Sequence, residues 1–157
     1  MEGRYQIDSD VEDGFWFAGR DWRSLTLEDW RHRYCGFVFL SPEAFAYYLP
    51  SILVLTLQNP KHYPDLALQI FLSPLDRSPG VENLDSNLTN RFSSITREEY
   101  EAIKEWLLWA SECIPHEFYG AAVGGAGDGF GRAFDTIDLL QKTAEKRGIA
   151  EQSTSEE

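Results

Sequence analysis

From Phe39 to Leu57 the chain reads FLSPEAFAYYLPSILVLTL, apolar or aromatic at almost every position and interrupted only by a helix-start signal and one proline. A membrane-spanning helix needs about 20 apolar residues. The run is therefore expected to be buried in protein and to organise the fold. Pro50 cannot donate to the carbonyl four residues earlier, which predicts two helical pieces or a kink, with a turn-like joint near Leu49. Phe45, Tyr48, Leu49, Ile52 and Leu53 supply one apolar face, and Tyr47, Val54 and Leu55 on the other side need cover of their own.

One local pattern occurs three times. An apolar residue precedes an N-cap, and an aromatic follows that apolar residue by five positions: Leu25 with Trp30, Leu40 with Phe45, Ile95 with Tyr100. Each pair has the spacing of a hydrophobic staple, with Thr26, Ser41 and Thr96 as caps. Thr96 with Glu99 also completes a capping box, and Pro42 stands at the first helical position, where its missing N–H is harmless.

The helix from Arg97 to about Cys113 shows the plainest periodicity, with Tyr100, Ile103, Trp106, Leu107 and Ala110 on one face and Glu98, Glu101, Lys104 and Glu105 opposite. A last helix is expected from about Arg132 to Arg147, with Phe134, Ile137, Leu140 and Ala144 inward. Its acids come early and its bases late, which suits the helix dipole, and Gly148 can close it. Leu66–Leu72 (LALQIFL) fits either a short strand or a buried helix. Between Ser73 and Ser94 lies a long Pro-, Asn- and Asp-rich connection, read as a functional flap or as plain surface.

These elements predict a mainly α protein: a compact single-domain helical fold with a proline-jointed central helix, and one short strand pair as the variant if LALQIFL is extended. Residues 1–13 read as an acidic mobile arm, 14–148 as the globular domain and 149–157 as a disordered acidic tail. With 157 residues, 43% of them hydrophobic, the chain can bury a single core.

Charge narrows the choice of partners. There are 26 acidic residues against 14 basic, a formal charge of -12, which disfavours nucleic acid and anionic membranes and favours a basic protein. The first residues lack a basic region followed by an apolar core, so the cytoplasm is the expected compartment. Cys35 and Cys113 fit reduced thiols there.

Candidate chemistry is sparse. His32 with Cys35 and Cys113 with His116 are each three apart, which makes them two potential half-sites of a zinc centre, although the spacing matches no known finger and Pro115 interrupts the second pair. Gly120 to Gly131 (GAAVGGAGDGFG) precedes the last helix and could cradle an anion, but it follows a helix rather than a strand and lacks the Lys-Ser or Lys-Thr of a phosphate loop. Asp76, Glu82 and Asp85 share the long connection, where solvated carboxylates are ordinary. Asp8, Asp10 and Glu12 fail as a calcium loop, because Asp13 and Gly19 occupy the positions that need glycine and glutamate. No Gly-x-Ser-x-Gly or His-Glu-x-x-His motif occurs, so no catalytic residue and no cofactor is assigned. Arg20, Arg23, Arg31 and Arg33 interleave with Trp22 and Trp30, a mixture that suits either intramolecular pairing or a partner surface. Trp16, Trp22 and Trp109 are surplus to the apolar stripes and are the candidate partner anchors.

The phrase FLSPEAFAYYLP, Phe39 to Pro50, resembles one of the form FLxPEAFxYYLP shared by a family of small uncharacterised bacterial proteins. In that family it is followed, after a variable middle, by a helix introduced by leucine or isoleucine and threonine, as Ile95 and Thr96 lead into EEYEAIKEWL here. The resemblance covers roughly Leu25 to Trp109. It implies no activity, cofactor or catalytic residue, and the Gly-rich loop and acidic arm lie outside the shared phrase.

The leading expectation is a non-enzymatic cytoplasmic protein-binding protein, such as an immunity or inhibitor protein against a basic toxin domain. One alternative is a small enzyme or metal-binding protein using the Gly-rich loop or the His and Cys pairs. The other is a homo-oligomeric structural module with part of Phe39 to Leu57 at the subunit contact.

Overall fold

The computed structural model describes residues 9–77, 80–114 and 129–154. Among them the chain forms seven α-helices and no strand: α1 (Ser9–Trp16), α2 (Leu27–Arg33), α3 (Pro42–Gln58), α4 (Asp65–Leu72), α5 (Ser86–Arg91), α6 (Arg97–Cys113) and α7 (Gly129–Thr154). Short 3-10 turns lie between several of them. The mainly helical fold is as expected, and LALQIFL is helix, with Ala67, Leu68, Phe71 and Leu72 buried at helical spacing.

All three predicted starts are caps. The Thr26 hydroxyl accepts from the Asp29 amide at 3.2 Å while the Asp29 carboxylate accepts from the Thr26 amide at 2.8 Å, so α2 also opens with a full capping box. Thr96 and Glu99 do the same for α6, at 3.3 and 2.7 Å. Ser41 accepts from Ala44 at 3.2 Å to start α3. Each aromatic at the fourth helical position, Trp30, Phe45 and Tyr100, is buried.

The joint expected near Leu49 does not form, because α3 runs unbroken through Pro50. Phe45, Tyr48 and Leu49 before or beside the proline and Ile52 and Leu53 after it are all buried on the same side of the helix. Only a continuous helix keeps them aligned. Burying each such side chain contributes about 1.5–3 kcal/mol, and together they outweigh the roughly 3 kcal/mol that an interior proline costs. The opposite side remains open, with Tyr47 exposed and Val54 and Leu55 half-buried. Among the described residues no helix is long and apolar enough to cross a membrane.

The backbone divides into two compact units, Met1–Phe71 and Leu72–Glu157. The first is centred on aromatic rings. Phe17 packs on Trp30 and Tyr48 at centroid distances of 5.0 and 5.1 Å. Trp30 meets Phe37 edge-on at 5.4 Å, and Phe37 meets Phe45 at 5.1 Å. The Trp30 indole N–H donates to the Ser51 hydroxyl at 2.8 Å, so the polar atom of this fully buried ring is satisfied. Residues 9–13, inside the stretch read as an arm, belong to α1, and Asp13 pairs with Arg33.

In the second unit the described residues of the connection, 73–77 and 80–94, carry secondary structure of their own. It holds 3-10 turns at Ser73–Leu75 and Val81–Asn83 and then α5, capped by Asp85, which accepts from the Leu88 amide at 2.8 Å. Arg77 ties this segment together through the carbonyls of Pro74 and Asn83, at 2.6 and 2.8 Å, and the Asp85 carboxylate at 2.8 Å. The amide of Leu88 and the guanidinium of Arg77 hold the Asp85 carboxyl below its ordinary pKa. Asp76, with its side chain 3% exposed, pairs with Arg132 on α7, and the Thr136 hydroxyl donates to the Leu75 carbonyl at 2.8 Å.

Both ends of α7 differ from expectation. It begins at Gly129, before Arg132, because Phe130 is buried one helical turn before Ala133 and Phe134 and draws the preceding glycine into the helix. It passes through Gly148 to Thr154. Its buried face is Phe130, Ala133, Ile137 and Leu140, whereas Phe134 is half-buried and Ala144 exposed. Helix α6 packs against α7 with the predicted stripe buried. A polar seam joins the two: Lys104 lies 3.0 Å from Glu101 and 3.6 Å from Asp138, and Gln141 donates to Glu101 at 2.8 Å. Hydrogen bonds from Lys142, against a smaller opposing effect of burial, lower the Asp138 pKa, with Lys104 adding to it.

Candidate functional site

Helix α1 lies against the 3-10 turn Tyr34–Phe39, and two glycines make the approach possible. A Cβ on Gly36 would fall 2.5 Å from the carbonyl carbon and oxygen of Asp13 and 2.7 Å from the Gly14 nitrogen. On the other side, a Cβ on Gly14 would fall 3.3 Å from the Phe39 Cβ. The end of α1 is pinned as well. The Tyr48 hydroxyl sits against the Phe17 carbonyl and 2.9 Å from the Arg20 carbonyl, and Gly19 makes the turn between them with φ of 74°, a left-handed conformation that favours glycine.

Phe17, just past the end of α1, is buried in the core, and Phe15 on α1 is not. Phe15 is 70% exposed, and on the adjoining turn Val38 and Phe39 are 50% and 52% exposed. Beside them is a hollow of about 240 Å³ walled by Val11, Phe15, Ala18, Phe39, Leu40 and Ala44, with Tyr48 and Phe17 among its lining. The exposed acids Glu12 on α1 and Glu43 on α3 belong to the elements that form it. Glu43 is held below the ordinary carboxylate pKa by a hydrogen bond from its own backbone amide and one from Ser41, so it stays charged. The arrangement can accept an apolar side chain and attract positive charge around it.

The residues singled out from sequence lie elsewhere. Trp16 is half-buried, with the Arg20 guanidinium 3.8 Å and that of Arg33 5.6 Å from its ring centroid. Trp22 is half-buried beside Arg23, at 4.7 Å. Trp109 is half-buried beside Trp106 on α6, at 6.1 Å. The arginine-rich window is internally engaged: Arg23 pairs with Asp21 at 3.4 Å, Arg31 with Glu28 at 3.7 Å, and Arg33 with Asp13. His32 lies 3.3 Å from a Glu28 carboxylate oxygen and 3.0 Å from the Glu28 carbonyl. Cys35 is a half-buried free thiol and Cys113 an exposed one, while His116 and residues 120–128 lie outside the described residues. Among the described residues no three His, Cys, Asp or Glu side chains group to hold a metal ion. Asp76 and Asp85 are each paired with an arginine, which gives them structural work.

The apolar patch was missed because no periodic stripe marks it. The available signal was the run Phe37-Val38-Phe39 in a chain segment flanked by glycine and a helix cap, where three consecutive apolar residues cannot all face one core.

Fold and site together define a small, acidic, mainly helical protein with an exposed aromatic patch. The chain belongs to a family of unknown function, DUF6714, whose model matches residues 4–117. That match contains the span Leu25 to Trp109 and extends beyond both its ends. No curated protein and no solved structure matched the chain.

Proposed function

We infer that this is a non-enzymatic, cytoplasmic protein-binding protein whose partner is basic and presents an apolar side chain flanked by Lys or Arg. An immunity or inhibitor protein acting on a cationic toxin domain is the role that fits this chemistry. The exposure of Phe15, Val38 and Phe39 around the hollow carries the reading: side chains left half or more in water at a rigidly held corner serve an interface better than they serve the fold. Charge supports it. The net charge of -12 and the acids Glu12 and Glu43 beside the patch favour a cationic partner, speed encounter and make the association salt-sensitive.

A photo-crosslinking side chain placed at Phe15, with Leu108 as an exposed control 57% accessible, tests it. The expected product joins Phe15, not Leu108, to a basic protein. Phe15→Ser with Phe39→Ser weakens that association by at least about tenfold without lowering the melting temperature, and its on-rate falls steeply from low to high salt. A crosslink only between two copies of this chain, equal capture from Leu108, or salt-indifferent binding refutes the reading.

A further inference from the structure

In the second unit, α5, α6 and α7 enclose a hollow of about 310 Å³ that no part of the reading above uses. At its base lie the buried side chains of Phe92, Tyr100 and Leu140, the first two stacked with centroids 6.5 Å apart at 20°. Tyr100 contributes ring rather than hydroxyl, since its O–H donates to the buried Phe92 carbonyl at 3.1 Å. Three further hydroxyls line the wall, and each donates inward to a backbone carbonyl: Thr89 to Asp85 at 3.1 Å, Ser93 to Asn90 at 2.6 Å, Thr143 to Leu139 at 2.8 Å. With their protons so engaged, their oxygens are left to accept a hydrogen bond from a ligand.

The charge of the lining is unusual for this chain. Among the lining residues none is acidic, and the one charged side chain is Arg147, exposed and in no ion pair with a described residue. A second feature concerns shape. Gly148 is the residue expected to end α7, yet the helix continues through it, and a glycine inside a helix costs about 1 kcal/mol relative to alanine. A Cβ there would meet no atom within 4 Å. No steric requirement of the fold accounts for glycine at this position. The cavity does, because Gly148 and Ala144, one turn apart, keep its wall low next to Arg147.

We propose that this hollow binds a small aryl carboxylate bearing a hydroxyl group, with the ring on Phe92, Tyr100 and Leu140, the carboxylate on Arg147 and the ligand O–H donated to a wall hydroxyl. A cavity of this volume is at the small end of ligand sites, which fits a single ring. Arg147 supplies the planar, charge-assisted donors that a carboxylate takes up, and the inward-donating hydroxyls select a ligand that brings its own donor.

Calorimetric titration of the full chain with 4-hydroxybenzoate tests the assignment, with 4-hydroxybenzamide and benzoate as comparators. The expected result is one saturable site with a Kd on the order of 0.1–1 mM, the range open to so few atoms. Arg147→Gln weakens 4-hydroxybenzoate about tenfold, and both comparators bind more weakly than it does. Gly148→Leu, which fills the open space with a strong helix former, abolishes binding while the melting temperature holds or rises. No saturable heat up to about 10 mM, roughly tenfold above the weakest Kd expected, overturns the proposal. So does unchanged affinity in Arg147→Gln, or the amide binding as tightly as the acid.

Discussion

Adding one methyl group at Gly36 is expected to push α1 off the turn beneath it. The new Cβ would lie 2.5 Å from the Asp13 carbonyl carbon and oxygen and 2.7 Å from the Gly14 nitrogen. Ordinary contacts between such atoms begin near 3.5 Å, so the two backbones must part by roughly 1 Å. No side chain can rotate away, because the atoms met are backbone. Overpacking typically costs about 1–3 kcal/mol, and the rigid neighbour places Gly36→Ala at the upper end. The displacement would also loosen the Asp13 pair with Arg33 and the packing of Phe17 on Trp30. Two other glycines provide controls within the same molecule. At Gly14 the added Cβ is 3.3 Å from the Phe39 Cβ, a mild crowding, and alanine's better helix propensity, worth about 1 kcal/mol, offsets it. At Gly148 nothing lies within 4 Å, so the propensity gain stands alone. The ordering is thus Gly36→Ala down by about 3 kcal/mol, Gly14→Ala near zero, and Gly148→Ala up by at most about 1 kcal/mol. Urea unfolding followed by tryptophan fluorescence and circular dichroism reads all three, and the first variant should melt roughly 10 °C lower. Gly36→Ala as stable as the parent protein, or the same sign at Gly36 and Gly148, would refute the reasoning.

Burial pushes the Tyr100 pKa from 10.0 up to about 12, so folding favours its neutral phenol. This contribution is complete below pH 10, is lost as pH rises towards 12, and is on the order of 2–3 kcal/mol at most. Urea midpoints measured at pH 9 and 11.5 should fall, and Tyr100→Phe should flatten the fall; an unchanged alkaline slope in that variant contradicts the assignment. Pro50→Ala returns an N–H facing the Ala46 carbonyl inside a continuous helix. The gain of about 3 kcal/mol, less about 1 kcal/mol for a more flexible unfolded chain, should appear as a higher melting temperature, and a lower one would show that the proline is accommodated at no cost.

Local chemistry carried much of the fold into the sequence. Thr26, Ser41 and Thr96 cap where they were expected to, because a cap depends on residues within one turn of chain. The stripe Tyr100, Ile103, Trp106, Leu107 and Ala110 was legible for the same reason, since helical period alone places those residues on one face. Charge was equally plain in the composition. What failed were judgements in which a local rule met a tertiary force. Proline argued for a joint in α3, and the shared burial of Phe45, Tyr48, Leu49, Ile52 and Leu53 overrode it. Glycine argued for an end at Gly148 and for a start after Gly131, and α7 passed through both.

The candidate site was the least legible part, since its local signal, the run Phe37-Val38-Phe39, does not say which apolar residue stays in water. Phe15 and Phe39 are apolar residues like those of the core, and only the packing of α1 on the turn at Tyr34–Phe39 turns one neighbour inward and leaves the other in water. Gly36 reads as an ordinary turn glycine until the Asp13 backbone is seen against it. The sequence by itself determined that α2, α3, α6 and the body of α7 are helical, how the first three of these begin, and the sign of the charge the chain carries, because those properties are set by neighbours along the chain. Tertiary structure alone decided which apolar residues remain exposed and which small residues make room, because both depend on contacts between residues far apart in sequence.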